Sequence, residues 1–243
     1  FAELMNKEAQ RLGMKGTHFV NATGLPDPNH YTTAFDMAVL ARAIIHDSPH
    51  YYPIYKEKEF TFNNIKQGNR NALLFTDPTV DGLKTGHTTD AGYCLVASSK
   101  RGNMRLISVV MGANSMQERA DQTRALFNWG FANFETATVQ NAGAVLASPR
   151  VWFGQAEQVP AGLAQDLALT LPRGQKDRLQ TEVLLNPEVD APIAKGQALG
   201  TVNVTLDGKT IASQPLVAME AVEQAGFFTR LWHHLKRFFG KLF

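Results

Sequence analysis

Apolar residues recur at three- and four-residue steps in four stretches of the chain, and between them they alternate or cluster in short blocks. In FAELMNKEAQRL, Phe1, Leu4, Met5, Ala9 and Leu12 share one helical face, and Gly13 suits the left-handed residue that ends such a helix. Thr33 followed by Asp36 reads as a variant capping box opening a second helix that carries Phe35, Val39, Leu40, Ala43 and Ile44. Ser115 and Glu118 repeat the device, and the pattern behind them runs through Phe127, Phe131 and Phe134. Residues 91–98 and 105–112 are rich in Val, Ile, Leu and Tyr, and the polar Lys100-Arg101-Gly102-Asn103 between them predicts a hairpin. Helices grouped around an antiparallel sheet give an α+β layer domain over residues 1–134.

Residues 135–222 have another character. Apolar runs at 151–153, 167–171, 181–185 and 202–206 are punctuated by Pro160, Pro172, Pro187, Pro192 and the turn Asp207-Gly208. Such spacing without helical periodicity predicts a small all-β sandwich or barrel. Residues 223–243 then form the strongest amphipathic pattern of the chain. Phe227, Phe228, Leu231, Trp232, Leu235, Phe238, Phe239 and Leu242 fall on one side of a helix, opposite Arg230, His233, His234, Lys236, Arg237 and Lys241. Cations every few residues exclude a transmembrane span. A helix with an aromatic face and a cationic face suits an anionic membrane interface, and partial protonation of His233 and His234 would strengthen that attraction. Five Phe and one Trp with no acid over residues 226–243 favour this over a helix docked on the protein's own core.

With 243 residues, 44% of them hydrophobic, the chain can bury one large core or two ordinary ones, and its composition excludes disorder, collagen and coiled coil. The net charge of +2 belongs to the tail: setting aside its four cations leaves 20 basic against 22 acidic residues. A body without basic excess argues against nucleic acid as a partner. Cys94 is the single cysteine, which excludes an intrachain disulfide and a thiolate metal cluster, and its apolar setting predicts an inert core strand. His18, His30, His46 and His50 have no metal-ligand spacing, since Pro49 interrupts the helix that would align the last two. Neither a metal nor a cofactor is expected. The opening at Phe1, with no initiator Met, export signal or helix cap, leads us to expect a portion of a longer protein.

The candidate chemistry sits in Asp81-Gly82-Leu83-Lys84-Thr85-Gly86-His87-Thr88, a polar strand flanked by glycines. Glycine lets an extended peptide approach the backbone, Lys84 supplies a positive potential, and Thr85 offers a hydroxyl to a carboxylate. A phosphate loop is excluded because its glycines must precede the lysine. Further segments accompany this one: Thr17-His18-Phe19-x-Asn21-x-x-Gly24-Leu25, Thr33-Ala34-x-Asp36-x-Ala38, Asn69-Arg70-Asn71 and Val110-Met111-Gly112-Ala113. Together, in this order and over the whole chain, they resemble a low-molecular-mass penicillin-binding protein of the D-alanyl-D-alanine carboxypeptidase type, serine peptidase family S11.

The resemblance implies part of a β-lactamase/transpeptidase-like domain, then a β-rich domain, then an amphipathic helix that holds the protein to the periplasmic face of the bacterial inner membrane. It implies removal of the terminal D-Ala from peptidoglycan pentapeptides through an acyl-enzyme without a cofactor, and β-lactam antibiotics as ligands of the intact protein. By the same resemblance Lys84 stabilises developing negative charge, Thr85 and Gly86 align the substrate as an added strand, and the His87 N–H contributes to the oxyanion hole. Arg119 would hold the substrate's terminal carboxylate, and Arg70 would support the region of Lys84 in the cleft. The family's nucleophile lies in Ser-x-x-Lys and a second serine in Ser-x-Asn, and neither pattern occurs at any of the seven serines here. The chain is therefore expected to be the C-terminal portion of such an enzyme, inactive alone. The alternatives are a serine β-lactamase, which would need neither the β-rich extension nor the terminal helix, and a non-catalytic membrane-associated binding module.

Overall fold

The computed structural model describes residues 1–240, so of the expected anchor positions Leu242 and the side chain of Phe239 lie outside the described residues. The chain forms two compact units, Phe1–Asn133 and Phe134–Phe243. The terminal helix belongs to the second unit, whereas the sequence reading set it apart.

In the first unit, α1 (Ala2–Leu12) and α2 (Ala34–Asp47) precede a 3₁₀ turn at Tyr52–Lys56 and a small hairpin of β1 (Glu59–Phe62) and β2 (Ile65–Gly68). The short α3 (Leu73–Thr76) leads into β3 (Val80–Thr88), β4 (Gly92–Arg101), β5 (Met104–Ala113) and α4 (Met116–Asn133). The three long strands make one antiparallel sheet in the order β3-β4-β5. The tight β4–β5 turn at Gly102 and Asn103 forms where the polar tetrapeptide predicted it, with Gly102 at φ 60°. Successive residues of β5 point to opposite faces. Leu106 lies under Gly130 of α4, while Ile107 packs with Ala41 of α2 and with Tyr52, so the two helices cover opposite faces of the sheet.

The caps work in two ways. Ser115 Oγ accepts from the Glu118 N–H at 3.0 Å, and Glu118 Oε2 reaches back one residue beyond the cap to accept from the Asn114 N–H at 2.7 Å, a variant of the capping box. Thr33 caps α2 through the Asp36 N–H, but the buried Asp36 carboxylate turns to Gly16 N–H and the Thr17 hydroxyl, at 2.8 and 2.6 Å, and pins the loop after α1. One sequence expectation is corrected here: Phe134 opens a strand instead of closing α4. The apolar face of α1 forms as read and is open, with Phe1 and Leu4 exposed and only Ala9 buried.

The second unit contains β6 (Phe134–Gln140), β7 (Val145–Ala147), β8 (Ala161–Gly162), β9 (Leu167–Pro172), β10 (Leu179–Leu185), β11 (Ala198–Leu206), β12 (Lys209–Ala218) and α5 (Phe227–Gly240). One sheet has the order β10-β11-β12-β8-β7, and β6 pairs with β9 in the other. Val202, Val204 and Leu216 of the large sheet are wholly buried and cluster with Leu167 and Leu169 of β9 and Val139 of β6, which makes the unit a sandwich. Asp207 and Gly208 both have positive φ, 52° and 78°, as the two-residue turn between β11 and β12 requires. Leu216→Ala empties the centre of this core and should cost roughly 2–5 kcal/mol of unfolding free energy, read as a lowered urea midpoint for the second unit.

Candidate functional site

The motif strand β3 is paired on one side only. Its ladder with β4 sets Lys84 opposite Val96, Thr85 opposite Leu95, Gly86 opposite Cys94 and His87 opposite Tyr93, and among the described residues no strand lies along its other edge. The strand's interior half, Val80, Gly82 and Leu83, is buried, whereas Lys84, Gly86 and His87 are exposed and Thr85 is half-buried. A side chain at Gly86 would meet nothing closer than the Cys94 Cβ at 3.8 Å, so the glycine leaves bare backbone toward solvent. Lys84 Nζ donates to the Thr85 carbonyl at 2.7 Å and has no carboxylate partner among the described residues. Lys84, Thr85 and Arg70 line one cavity of about 350 Å³ with Tyr55, Gln67 and Asn69. The His87 ring stacks on Tyr93, 4.0 Å between centroids, at the edge of a second cavity that also includes Asp90 and Asn114.

Arg119 lies beneath this strand and is 4% exposed. Its guanidinium donates to the carbonyls of Arg70, Gly86 and Cys94 at 3.1, 3.4 and 3.5 Å, and stands over the Tyr93 ring. Burial lowers its pKa from the ordinary value, against the opposing pull of Cys94 and Tyr93. The structure thus brings all six sequence-predicted binding residues to one strand and its immediate support, with Arg119 placed under the motif and Arg70 exposed beside it. Cys94 is corrected: it is half-buried, directly across from Gly86, with Sγ 3.4 Å from the Ala91 carbonyl. Among the described residues no cluster of His, Cys, Asp and Glu is arranged to hold a metal ion.

Residues 1–115 match the model of the D-alanyl-D-alanine carboxypeptidase peptidase family, and residues 134–224 match that of the penicillin-binding protein 5 C-terminal domain. The chain is 47% identical over 234 residues to D-alanyl-D-alanine carboxypeptidase DacC of Escherichia coli, covering 96% of this chain and 58% of that protein. Among solved structures, penicillin-binding protein 5 from Haemophilus influenzae aligns with a TM-score of 0.77 at 46% identity, over 92% of this chain and 66% of that one. The carboxypeptidase DacD from Francisella tularensis aligns with a TM-score of 0.61 at 31% identity, over 92% of this chain and 68% of that one. The chain belongs to the D-alanyl-D-alanine carboxypeptidase family. It spans about three fifths of the length of the Escherichia coli relative.

Around the family's motif strand lies a polar network to which sequence reasoning gave no role. Arg105 on β5 holds Asp81 with both terminal nitrogens, at 2.8 and 2.8 Å, and also donates to Ser98 on β4. The Tyr52 hydroxyl donates to Asp81 Oδ1 at 3.2 Å, and the buried Asn71 amide donates to the Gly82 carbonyl at 3.1 Å. Asp81 and Asn71 were visible inside the motif segments, but nothing in spacing connects them to Tyr52 or Arg105, which meet them only through the sheet.

The terminal helix α5 docks by its polar side. His233 is 7% exposed and its Nδ1 accepts the Phe153 N–H at 2.8 Å, which places the ring proton on Nε2. Arg237 pairs with Glu188 and Asp190 and lies over the rings of Trp152 and Phe153. Burial opposes the Arg237 charge, yet the two carboxylates outweigh it and raise the pKa. The reading of His233 as a solvent-facing tail residue is therefore corrected. Phe227, Phe228, Leu231, Trp232, Leu235 and Phe238 are all exposed, Phe228 by 84%. Among the described residues no helix is long and apolar enough to cross a membrane.

Burial pushes the Tyr52 hydroxyl up to about 12, so the fold favours its neutral form. The stabilisation is complete below the ordinary value of 10.0 and is lost as pH rises through about 12. Ultraviolet titration should find one of the five tyrosines resisting ionisation until about pH 12, and Tyr52→Phe should remove that step.

Proposed function

We propose that the whole protein containing this chain is a serine-type D-Ala-D-Ala carboxypeptidase, and that residues 1–134 supply the wall of its cleft that positions the substrate. The observation that carries this reading is the open edge of β3, which offers unpaired backbone beside an exposed cation, a hydroxyl and a glycine on successive residues. A peptide ending in D-Ala-D-Ala would add to this edge as a further strand, its carboxylate meeting Thr85 and the positive potential of Lys84, with Arg119 as a fixed cation below. The attacking serine lies outside the 243 residues, in Ser-x-x-Lys. Its oxygen bonds to the penultimate carbonyl carbon, the peptide C–N bond breaks, and the leaving D-Ala amine takes up a proton. Water then hydrolyses the ester and restores the serine. The His87 N–H stabilises the oxyanion in both halves of the reaction. A β-lactam, whose amide resembles this peptide end, would form an ester with the same serine as its ring C–N bond opens, the ring nitrogen taking up the proton and staying attached to the acyl group.

In this reading the exposed aromatic side of α5 holds the protein peripherally on the periplasmic face of the bacterial inner membrane. Phe227, Phe228, Leu231, Trp232, Leu235 and Phe238 enter the interface, while the exposed Lys236 meets anionic headgroups.

Two outcomes test these proposals. Labelled penicillin should form a covalent adduct with the full-length gene product and none with residues 1–243 alone. Lys84→Ala in the full-length protein should lower the labelling rate by about 10²–10³-fold, and an unchanged rate would remove Lys84 from its role. The second concerns the helix: the chain should float with anionic phospholipid vesicles, and Phe228→Ala with Trp232→Ala should abolish flotation, whereas undiminished flotation would refute the anchor.

A further inference from the structure

A strand that carries binding chemistry on an open edge needs its height fixed from elsewhere, because a ladder on one side leaves it free to tilt. The register of β3 on β4 breaks between Val80 and Gly82, so Asp81 sits in an irregularity that re-aims the strand just before Lys84. What surrounds this residue is unusually complete. Its two carboxylate oxygens meet both terminal nitrogens of Arg105, a fork-to-fork geometry that fixes orientation as well as distance. Arg105 comes from β5, two strands away, and bonds Ser98 of the intervening β4 on the way, which ties Asp81 across the whole sheet. From the other side, Tyr52 donates to Asp81 Oδ1, and its hydroxyl lies so near Gly82 that a Cβ there would approach it to 2.5 Å. Asn71, 1% exposed, holds the Gly82 carbonyl, and Leu83 packs into the same cluster as Tyr52. Lys56 shares the shallow cavity over Asp81 and Arg105 and is the remaining charge facing them there.

We propose that Asp81, held by Arg105 and Tyr52, is a positioning residue that sets the height of Lys84 and Thr85 on the open edge of β3. Three residues of extended chain, about 10 Å, separate it from Lys84. It therefore acts through the backbone and touches no substrate. The alternative is a merely structural ion pair, whose loss would unfold some molecules and leave the rest fully active. The proposal rests on the carboxypeptidase reading, and its consequence differs: every folded molecule should react, but slowly, because displacement of a positioned group by 1 Å can cost about 10²-fold in rate.

The test uses the full-length gene product and single-turnover acylation by labelled penicillin, which separates amplitude, the number of competent sites, from rate constant. Asp81→Asn should keep the amplitude and lower the rate constant by about 10–100-fold, and Asp81→Glu should recover part of the rate. A full rate constant with reduced amplitude would show a structural role and overturn the proposal, as would a folded Asp81→Asn protein with wild-type rate and amplitude. Should Asp81→Asn fail to fold, Tyr52→Phe decides: removing that one hydroxyl should lower the rate constant several-fold, and a wild-type value would overturn the proposal. Failure of the functional reading appears separately, as a wild-type protein that takes no label. In that event, hydrogen exchange of the amides at residues 83–87 in Tyr52→Phe still tests the support, faster exchange upholding it and unchanged exchange refuting it.

Discussion

The first unit depends on a strand bonded to a neighbour along one edge only. An open edge offers a row of backbone donors and acceptors, which is an aggregation hazard in most proteins and a binding resource where a peptide must be received. Here the exposed end of the strand carries the ammonium of Lys84 and a glycine where hydrophobic side chains would invite a second copy of the chain. Its position is supplied from behind and from the entry end. Arg119 lies under Gly86, Asn71 grips the Gly82 carbonyl, and Asp81 is locked across the sheet. The free edge and the crowded support are two aspects of one requirement.

Charge is distributed to match. Arg105 and Arg237 each meet carboxylates and are spent on structure, whereas Lys84 and Arg119 have none among the described residues. A cation neutralised by a neighbour projects little field, so leaving Lys84 without a counter-charge keeps its potential available to an anion in the groove. Arg119, bonded to carbonyl dipoles alone, stays charged in a nearly buried site. These carbonyls hold both terminal nitrogens without cancelling the charge.

Much of this was legible in the sequence because local chemistry and periodicity decide it. The capping residues before α2 and α4, the β4–β5 hairpin and the Asp207-Gly208 turn are dictated by a few adjacent side chains, and the Lys-Thr-Gly segment announces itself by composition. Contacts between residues far apart in the chain were not legible. Tyr52 and Arg105 reach Asp81 from 29 and 24 positions away, and no periodicity encodes such a meeting. The cysteine was misjudged because its neighbours are apolar while its own side chain points to the open side of the strand, where a Cβ at Gly86 would meet nothing but the Cys94 Cβ at 3.8 Å. The apolar face of α1 was read correctly as a pattern, but a pattern does not say what covers it, and Phe1 and Leu4 remain exposed.

The terminal helix shows how a correct amphipathic reading can miss a docking mode. Ordinary surface helices turn their apolar stripe inward. This one turns His233 and Arg237 inward and leaves its aromatic side out. The energetic scales explain why the arrangement is directional. Burying one large apolar side chain is worth roughly 1.5–3 kcal/mol, and Phe227, Phe228, Trp232 and Phe238 are exposed together, whereas a partly exposed ion pair contributes about 0–1 kcal/mol. The docking contacts are thus too weak to compete with an apolar phase for the helix, and too specific to be incidental, since a backbone N–H of a residue at φ 62° is matched to one imidazole nitrogen. Their contribution is orientation. They present the aromatic face outward on the β-sandwich, so the helix is already ordered while that face is unburied, and burying the face against any apolar partner would carry no further cost of ordering the helix.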